Sequence, residues 1–216
     1  MYWLQYPRLT FEADTHTYKW DGKVAQGYSG IMQSVATKRK TQDGKEYFVE
    51  CGYSKFSQHD DTNRKLGSAV HKIFSGKICG KIVHYPESIQ PWVDHFDEFL
   101  KEYPLTPLVD QNGNYICEYP IYHEKLKYCG TLDLLAWNWK HELCLIDWKT
   151  SAVFERHYHA QTAAYAQLVE FLFKLKVKNR IVVRITDKEQ KKEERVNKPE
   201  DFIWFNSVHN VLKMAA

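Results

Sequence analysis

Acid, ammonium and imidazole groups recur along the middle of this 216-residue chain at spacings that chemistry can use. Gly130-Thr131-Leu132-Asp133 is followed by Leu145-Ile146-Asp147-Trp148-Lys149-Thr150. Folded as a hairpin centred on Lys140, these stretches put Asp133 opposite Asp147. Directly opposed side chains on neighbouring strands have Cβ atoms about 4.5–5.5 Å apart. Carboxylates that close repel, so a buried pair must share a proton or hold a cation. Lys149, two residues beyond Asp147, projects from the same face. Glu118 lies on a strand over 115–122 that turns at 123–127, and this register sets it opposite or beside Asp133. Oxygen donors of this kind suit Mg²⁺ or Mn²⁺, as one ion or two. A bound divalent ion polarises a phosphoryl oxygen and acidifies a water. The lysine can then orient or deprotonate that water, or offset charge on phosphorus. The competing reading is a structural cluster in which Lys149 neutralises the acids. The cost of burying charge favours the functional reading.

Two helices frame this patch. Gln161 and Tyr165 stand at i and i+4 on the helix after Lys149, on one face with Leu168 and Leu172. They could bind a phosphate or orient Lys149; the competing reading is two ordinary residues of a helix surface. Upstream, Gly67 and His71 share a helix face at the same spacing. A helix-interior glycine costs about 1 kcal/mol relative to Ala, which is tolerated where something approaches closely. His71 offers a nitrogen ligand or a contact to a scissile phosphate. His157 and His159 read as surface residues.

The elements that must position these groups follow from periodicity and turn signals. Leu9–Val24 reads as a hairpin with its turn at Asp21-Gly22, and Ser29–Ala36 as a short helix. Lys38–Lys45 reads as a loop. Asp61 or Thr62 caps a helix to about Phe74, and Pro91 opens another carrying Trp92, Phe96, Phe99, Leu100 and Tyr103. Strands over 115–122, 128–137 and 143–150 follow, the last two apolar on both faces and so interior to the sheet. A helix over 158–176 then crosses to a strand over 180–186, giving parallel pairing. Lys188–Lys198 reads as an exposed charged stretch, and Pro199 opens a last helix. The expected fold is one α/β domain over 1–216, a small mixed sheet flanked by helices. It has an N-terminal hairpin and helix elaboration over 1–60, a core over 61–187, and a charged segment with the last helix over 188–216.

Composition bounds the rest. Apolar residues make up 44% and charged residues 26%, which excludes disorder and low complexity for most of the chain. No apolar run reaches the roughly 18 residues of a membrane span, and no secretory signal is visible. Five cysteines with long spacings and no C-x-x-C pair argue against a disulfide framework or zinc ribbon and for a reducing, cytoplasmic setting. Net charge is +4 over 1–80, −6 over 81–170 and +5 over 171–216. Basic flanks such as Lys38, Arg39, Lys40, Lys174 and Lys178 are candidates for phosphate contacts around an acidic centre.

Taken in order, Gly67…His71, Glu118, Gly130-Thr131-Leu132-Asp133, Asp147-Trp148-Lys149 and Gln161…Tyr165 resemble the PD-(D/E)XK nuclease superfamily, in its RecB-type exonuclease branch. Phe11…His16-Thr17-Tyr18 and Tyr28-Ser29-Gly30-Ile31 look like the opening of phage-borne and mitochondrial-type members. Leu132 stands where the superfamily name has Pro. The resemblance implies a restriction-endonuclease-like core and a Mg²⁺- or Mn²⁺-dependent DNA exonuclease of replication, repair or recombination. It assigns metal binding to His71, Glu118, Asp133, Asp147 and the main-chain carbonyl of Trp148. It gives Lys149 the positioning of the nucleophile, with Gln161 and Tyr165 in support. It implies DNA, single-stranded or as duplex ends, as substrate, with a recombination or replication protein as a further partner, in a bacterial or phage-infected cell. No cysteine follows Cys144, so the iron–sulfur cluster of some relatives is not expected. The rival functions are a catalytically silent nuclease-fold binding protein and a site-specific endonuclease.

Overall fold

The computed structural model describes residues 8–12, 15, 17–34, 36–40, 46–50, 53–56, 61–151, 154–196 and 198–215; for 33–64, 156 and 215 it describes the backbone alone. The chain is an α/β protein with a mixed open sheet flanked by helices. The central strand is β9 (Tyr128–Asn138). On one edge it takes β8 (Cys117–His123) and then β7 (Leu105–Pro107), both antiparallel. On its other edge it takes β3 (Lys23–Gly27), parallel, and β10 (Leu143–Lys149), antiparallel. β11 (Asn179–Ile185) continues the sheet parallel to β10, through the crossover helix α4 (Arg156–Phe173). That is the pairing the helix between two strands predicts.

Three differences from the sequence expectation have physical causes. The N-terminal hairpin is a three-stranded meander, β1 (Leu9–Glu12), β2 (Thr17–Trp20) and β3, whose last two residues pair with Tyr128 and Cys129 of β9. The elaboration therefore joins the core sheet. The stretch expected as a loop from Lys38 begins inside β4 (Ala36–Lys40), which pairs with β5 (Glu46–Glu50), itself paired with β6 (Tyr53–Phe56), as a separate sheet; 41–45 lie outside the described residues. The charged stretch after 188 holds β12 (Gln190–Arg195), an edge strand on β11. Its run of Lys, Glu and Arg is what an exposed edge carries to resist pairing with other chains.

Two apolar cores lie on the two faces of the sheet. α1 (Tyr28–Ser34), α4 and α5 (Pro199–Ala215) cover one, with Tyr28, Leu132, Leu135, Leu145, Leu168 and Phe205. α2 (Asp61–Ile78) and α3 (Gln90–Glu102) cover the other, with Phe74, Phe96, Phe99, Leu134, Ile146 and Trp148. Residues two apart on a strand ordinarily share a face. Yet Leu132 belongs to the first core and Leu134 to the second, and on β8 Cys117 packs with the second core while Tyr119 lies in the first. Both strands change face at one level, at Glu118 and Asp133. Glu118 is in the left-handed region, φ 47°, and the β8–β9 ladder skips it between Cys117↔Leu134 and Tyr119↔Leu132.

Candidate metal centre

The candidate site sits at this kink. The β9–β10 ladder runs from Leu143↔Trp137 to Ile146↔Leu134, and its continuation sets Asp147 across from Asp133. The Trp148 amide donates to Asp133 Oδ2 at 2.8 Å, closing the strand ends together. α2 brings His71 in from the second face: its Nδ1 lies 3.4 Å from Glu118 Oε1 and 3.6 Å from Asp133 Oδ2. One ligand atom each from His71, Glu118 and Asp133 falls within 4.8 Å of the others. Asp147 stands beside this triad rather than in it. It is 1% exposed, Lys149 Nζ is 2.6 Å from its Oδ2, and its Oδ1 has no hydrogen-bond partner among the described residues.

The electrostatics follow from burial of like charges. Burial pushes the Asp147 carboxyl up to about 6, with the Asp133 charge adding to the rise and Lys149 opposing it. Burial also raises Asp133; Glu118 raises it further, against His71, Lys149 and the Trp148 amide. Burial disfavours the His71 cation, but Asp133 and Glu118 outweigh it and hold the imidazole above its ordinary value. Lys149 is likewise held above its usual range by Asp147 and Asp133, against burial.

The framing residues fall into place. Gln161 Nε2 donates to the Tyr165 hydroxyl at 3.1 Å. A Cβ on Gly130 would lie 2.3 Å from a ring carbon of Tyr165, so Gly at 130 lets the Gln161–Tyr165 pair lie flat on β9. A Cβ on Gly67 would meet Thr150 Oγ1 at 3.1 Å, the close approach that its place in a helix suggested. Trp148 contributes an amide to the site; its indole is buried against Phe74, Phe96 and Phe99. Sequence reasoning missed Tyr158, whose ring stands 4.9 Å from Lys149 Nζ and whose hydroxyl reaches Ser151 Oγ at 3.1 Å. A tyrosine nine residues past the lysine has no sequence signal beyond its place on the following helix.

Two expectations are corrected. His157 and His159 are buried, not on the surface: Tyr28 donates to the His157 carbonyl, and His159 contacts Glu193 through Nε2 at 2.5 Å. Lys174 and Lys178 lie at the wrong end of the sheet for phosphate contacts at the site. The Lys178 amide donates to the carbonyl of Leu143, where β10 begins, whereas Asp147 and Lys149 are where it ends. The side chains of Lys38, Arg39 and Lys40 lie outside the described residues.

No family model matches the chain, and no curated protein matches it. Among solved structures it is similar to the one titled "Crystal structure of SSO0001", 14% identical, covering 67% of this chain and 85% of that one. The TM-score is 0.30, too low to carry an argument. No helix among the described residues is long and apolar enough to cross a membrane.

Proposed function

We propose that this protein is a Mg²⁺- or Mn²⁺-dependent deoxyribonuclease that works as an exonuclease, in the cytoplasm of a bacterial or phage-infected cell, on DNA undergoing replication, repair or recombination. The observation that carries the reading is the buried Asp147 Oδ1 without a hydrogen-bond partner among the described residues, next to a His71–Glu118–Asp133 triad that already holds two carboxylates. Buried polar atoms are almost always satisfied, and an orphan at a cluster of acids calls for a shared proton or a cation. The donor set, carboxylate oxygens with one imidazole, fits a hard divalent ion of this kind. His71, Glu118, Asp133 and Asp147 would hold it. When bound, it would supply charge stabilisation at phosphorus and a more acidic water.

The chain's own groups account for the remainder of a hydrolysis. Lys149, fixed between Asp147 and the Tyr158 ring, holds an ammonium where an attacking water would be oriented and where negative charge on the phosphoryl oxygens would develop. Gln161 and Tyr165 hold α4 against β9 through Gly130, and Tyr158 of the same helix flanks Lys149. A recombination or replication protein as a further partner belongs to the same proposal.

Lys149 supplies the test. Lys149→Ala leaves Mn²⁺ affinity, by calorimetry, within a few-fold of the parent. Single-turnover cleavage of end-labelled oligonucleotides slows by about 10²–10⁴, the loss expected for a positioned proton-transfer or charge-stabilising group. Lys149→Arg does not rescue it, because the guanidinium has a different shape and reach. A lower melting temperature for Ala that Arg restores, with near-normal cleavage per folded molecule, would mark a merely structural lysine.

A further inference from the structure

Tyr158 is buried, yet it belongs to neither of the two apolar cores on the faces of the sheet. It stands on the first turn of α4, and its ring lies over Lys149 Nζ at 4.9 Å. Two neighbours brace the ring. Its hydroxyl is 3.1 Å from Ser151 Oγ and 3.3 Å from Glu155 Oε1, both in the connection from β10 to α4, so it can accept from the serine while donating to the carboxylate. The His157 ring packs edge-on against it, centroids 4.4 Å apart, and His157 Nδ1 is 3.1 Å from Glu155 Oε2. Lys149 is what this bracing serves. Its Nζ meets Asp147 Oδ2 at 2.6 Å as well as the Tyr158 ring, and its side chain is 16% exposed, so a substrate could reach the ammonium.

We infer that Tyr158 is a positioning residue that acts through Lys149: its ring face holds the ammonium in place and leaves donors free for an attacking water and a phosphoryl oxygen. The inference rests on the nuclease reading and adds to it the residue that aims its lysine. An ammonium has three donors and no acceptor. Asp147 takes one of them at the distance of a charge-assisted hydrogen bond. A carboxylate in the place of Tyr158 would take another. It would also add to the negative charge of Glu118, Asp133 and Asp147, and so repel a phosphate. The face of an aromatic ring attracts the same cation through its quadrupole, most strongly where water is kept away. It seats the amine without a second anion. A phenol suits this role because its hydroxyl, bonded at the far end, fixes the plane of the ring.

The test joins single-turnover cleavage in Mn²⁺ to melting curves and to magnetic resonance of protein carrying ¹³C at lysine Cε. Tyr158→Leu lowers the maximal rate about thirtyfold, the equivalent of the ~2 kcal/mol of a desolvated cation–π contact. The half-saturating oligonucleotide concentration and the Mn²⁺ affinity stay as in the parent. Tyr158→Met serves if the Leu variant fails to fold. Tyr158→Phe keeps the ring, loses only its tether, and restores the rate to within about threefold. In the Lys149→Ala background Tyr158→Leu changes nothing further, because the ring acts only through the lysine. Normal cleavage per folded molecule in Leu, whatever its melting temperature, overturns the inference. So does a further loss on top of Lys149→Ala, and so does a Phe variant as slow as Leu. The resonance data need no reaction. Without metal, the ring current of Tyr158 displaces the Lys149 Hε signals, identified by their loss in Lys149→Ala. Phe keeps that displacement and Leu abolishes it, whereas undisplaced signals in the parent overturn the contact. A parent that neither cleaves nor binds Mn²⁺ loses the nuclease reading, while the resonance data still decide whether Tyr158 seats the ammonium.

Discussion

Two clusters of buried charge lie on either side of α4, and they are built in opposite ways. Behind the helix, Arg180 of β11 donates to Asp201 of α5 at 2.8 Å, to the His159 carbonyl at 2.9 Å, and to Thr162 Oγ1 and the Lys198 carbonyl at 3.3 Å each. One cation meets one anion, and the remaining donors meet neutral acceptors, as a structural ion pair requires. In front, Glu118, Asp133 and Asp147 crowd around His71 and Lys149, and Asp147 Oδ1 finds no hydrogen-bond partner among the described residues. The first cluster ties strand to helix and is complete. The second is complete only with something added, and that difference separates a fastening from a site.

The largest expected effect tests the incomplete cluster. Asp133→Asn keeps an acceptor for the Trp148 amide but removes one of the crowded charges. Metal-dependent cleavage falls to background and Mn²⁺ binding weakens, while the melting temperature holds or rises because repulsion is relieved. Unchanged Mn²⁺ affinity in calorimetry would remove Asp133 from the site. The complete cluster behaves in reverse. Asp201→Ala strands the Arg180 guanidinium, 4% exposed, and costs about 3–5 kcal/mol in urea unfolding, with cleavage per folded molecule unchanged. Comparable stability losses from the two substitutions would erase the distinction.

The third expectation concerns pH. Asp147 titrates near 6 and Asp133 is raised, so the metal-free fold is helped by their protons at low pH and loses that help as pH rises from the unfolded carboxylate value through the folded one. His71, also raised, adds stability below its unfolded value that is lost as pH climbs through its folded value. All three slopes run the same way, and a cation competes with each of these protons. The rise in melting temperature on adding Mn²⁺ therefore grows from pH 5 to pH 8. A rise independent of pH would place the ion away from these groups.

What the sequence made legible follows the same division. The register that opposes Asp133 to Asp147 was readable because short hairpins fix pairing by their turn, and the structure bears it out as far as Ile146↔Leu134. Asn138 closes that turn by accepting the Lys140 and Glu142 amides on its Oδ1, with His141 at φ 56°. The kink at Glu118 was not readable. β9 is buried on both faces, so its alternation carries no sign of which face each residue takes, and a change of face leaves no pattern. The position of Lys174 and Lys178 followed from the parallel crossover already expected: residues just before β11 lie beside the start of β10, away from Asp147 and Lys149 at its end. The exposure of 188–198 was read, but the strand β12 within it was not, because an edge strand is selected for charge, which in sequence looks like exposure without structure.

The smallest expected effect comes from that kink. A left-handed conformation costs an L-residue about 1–2 kcal/mol, and Glu118 has no Asn-like short side chain to soften it. Such strain persists where the surrounding structure over-determines it, and it clusters at functional sites. In Glu118→Gly the residue adopts φ 47° without the Cβ penalty, and a carboxylate leaves the neighbourhood of Asp133. The flexibility that Gly adds to the unfolded chain offsets part of this gain. The net result is a rise in stability of roughly 0.5–1 kcal/mol by urea unfolding, together with weaker Mn²⁺ binding. Glu118→Gln keeps the strain and loses only the charge, so it gains less stability while losing the same metal affinity. If Gln and Gly are equally stable, the backbone at 118 is relaxed and the change of face on β8 has another origin. If Gly is the less stable of the two, the His71–Glu118 contact holds α2 to the sheet, and this acid belongs with the fastenings.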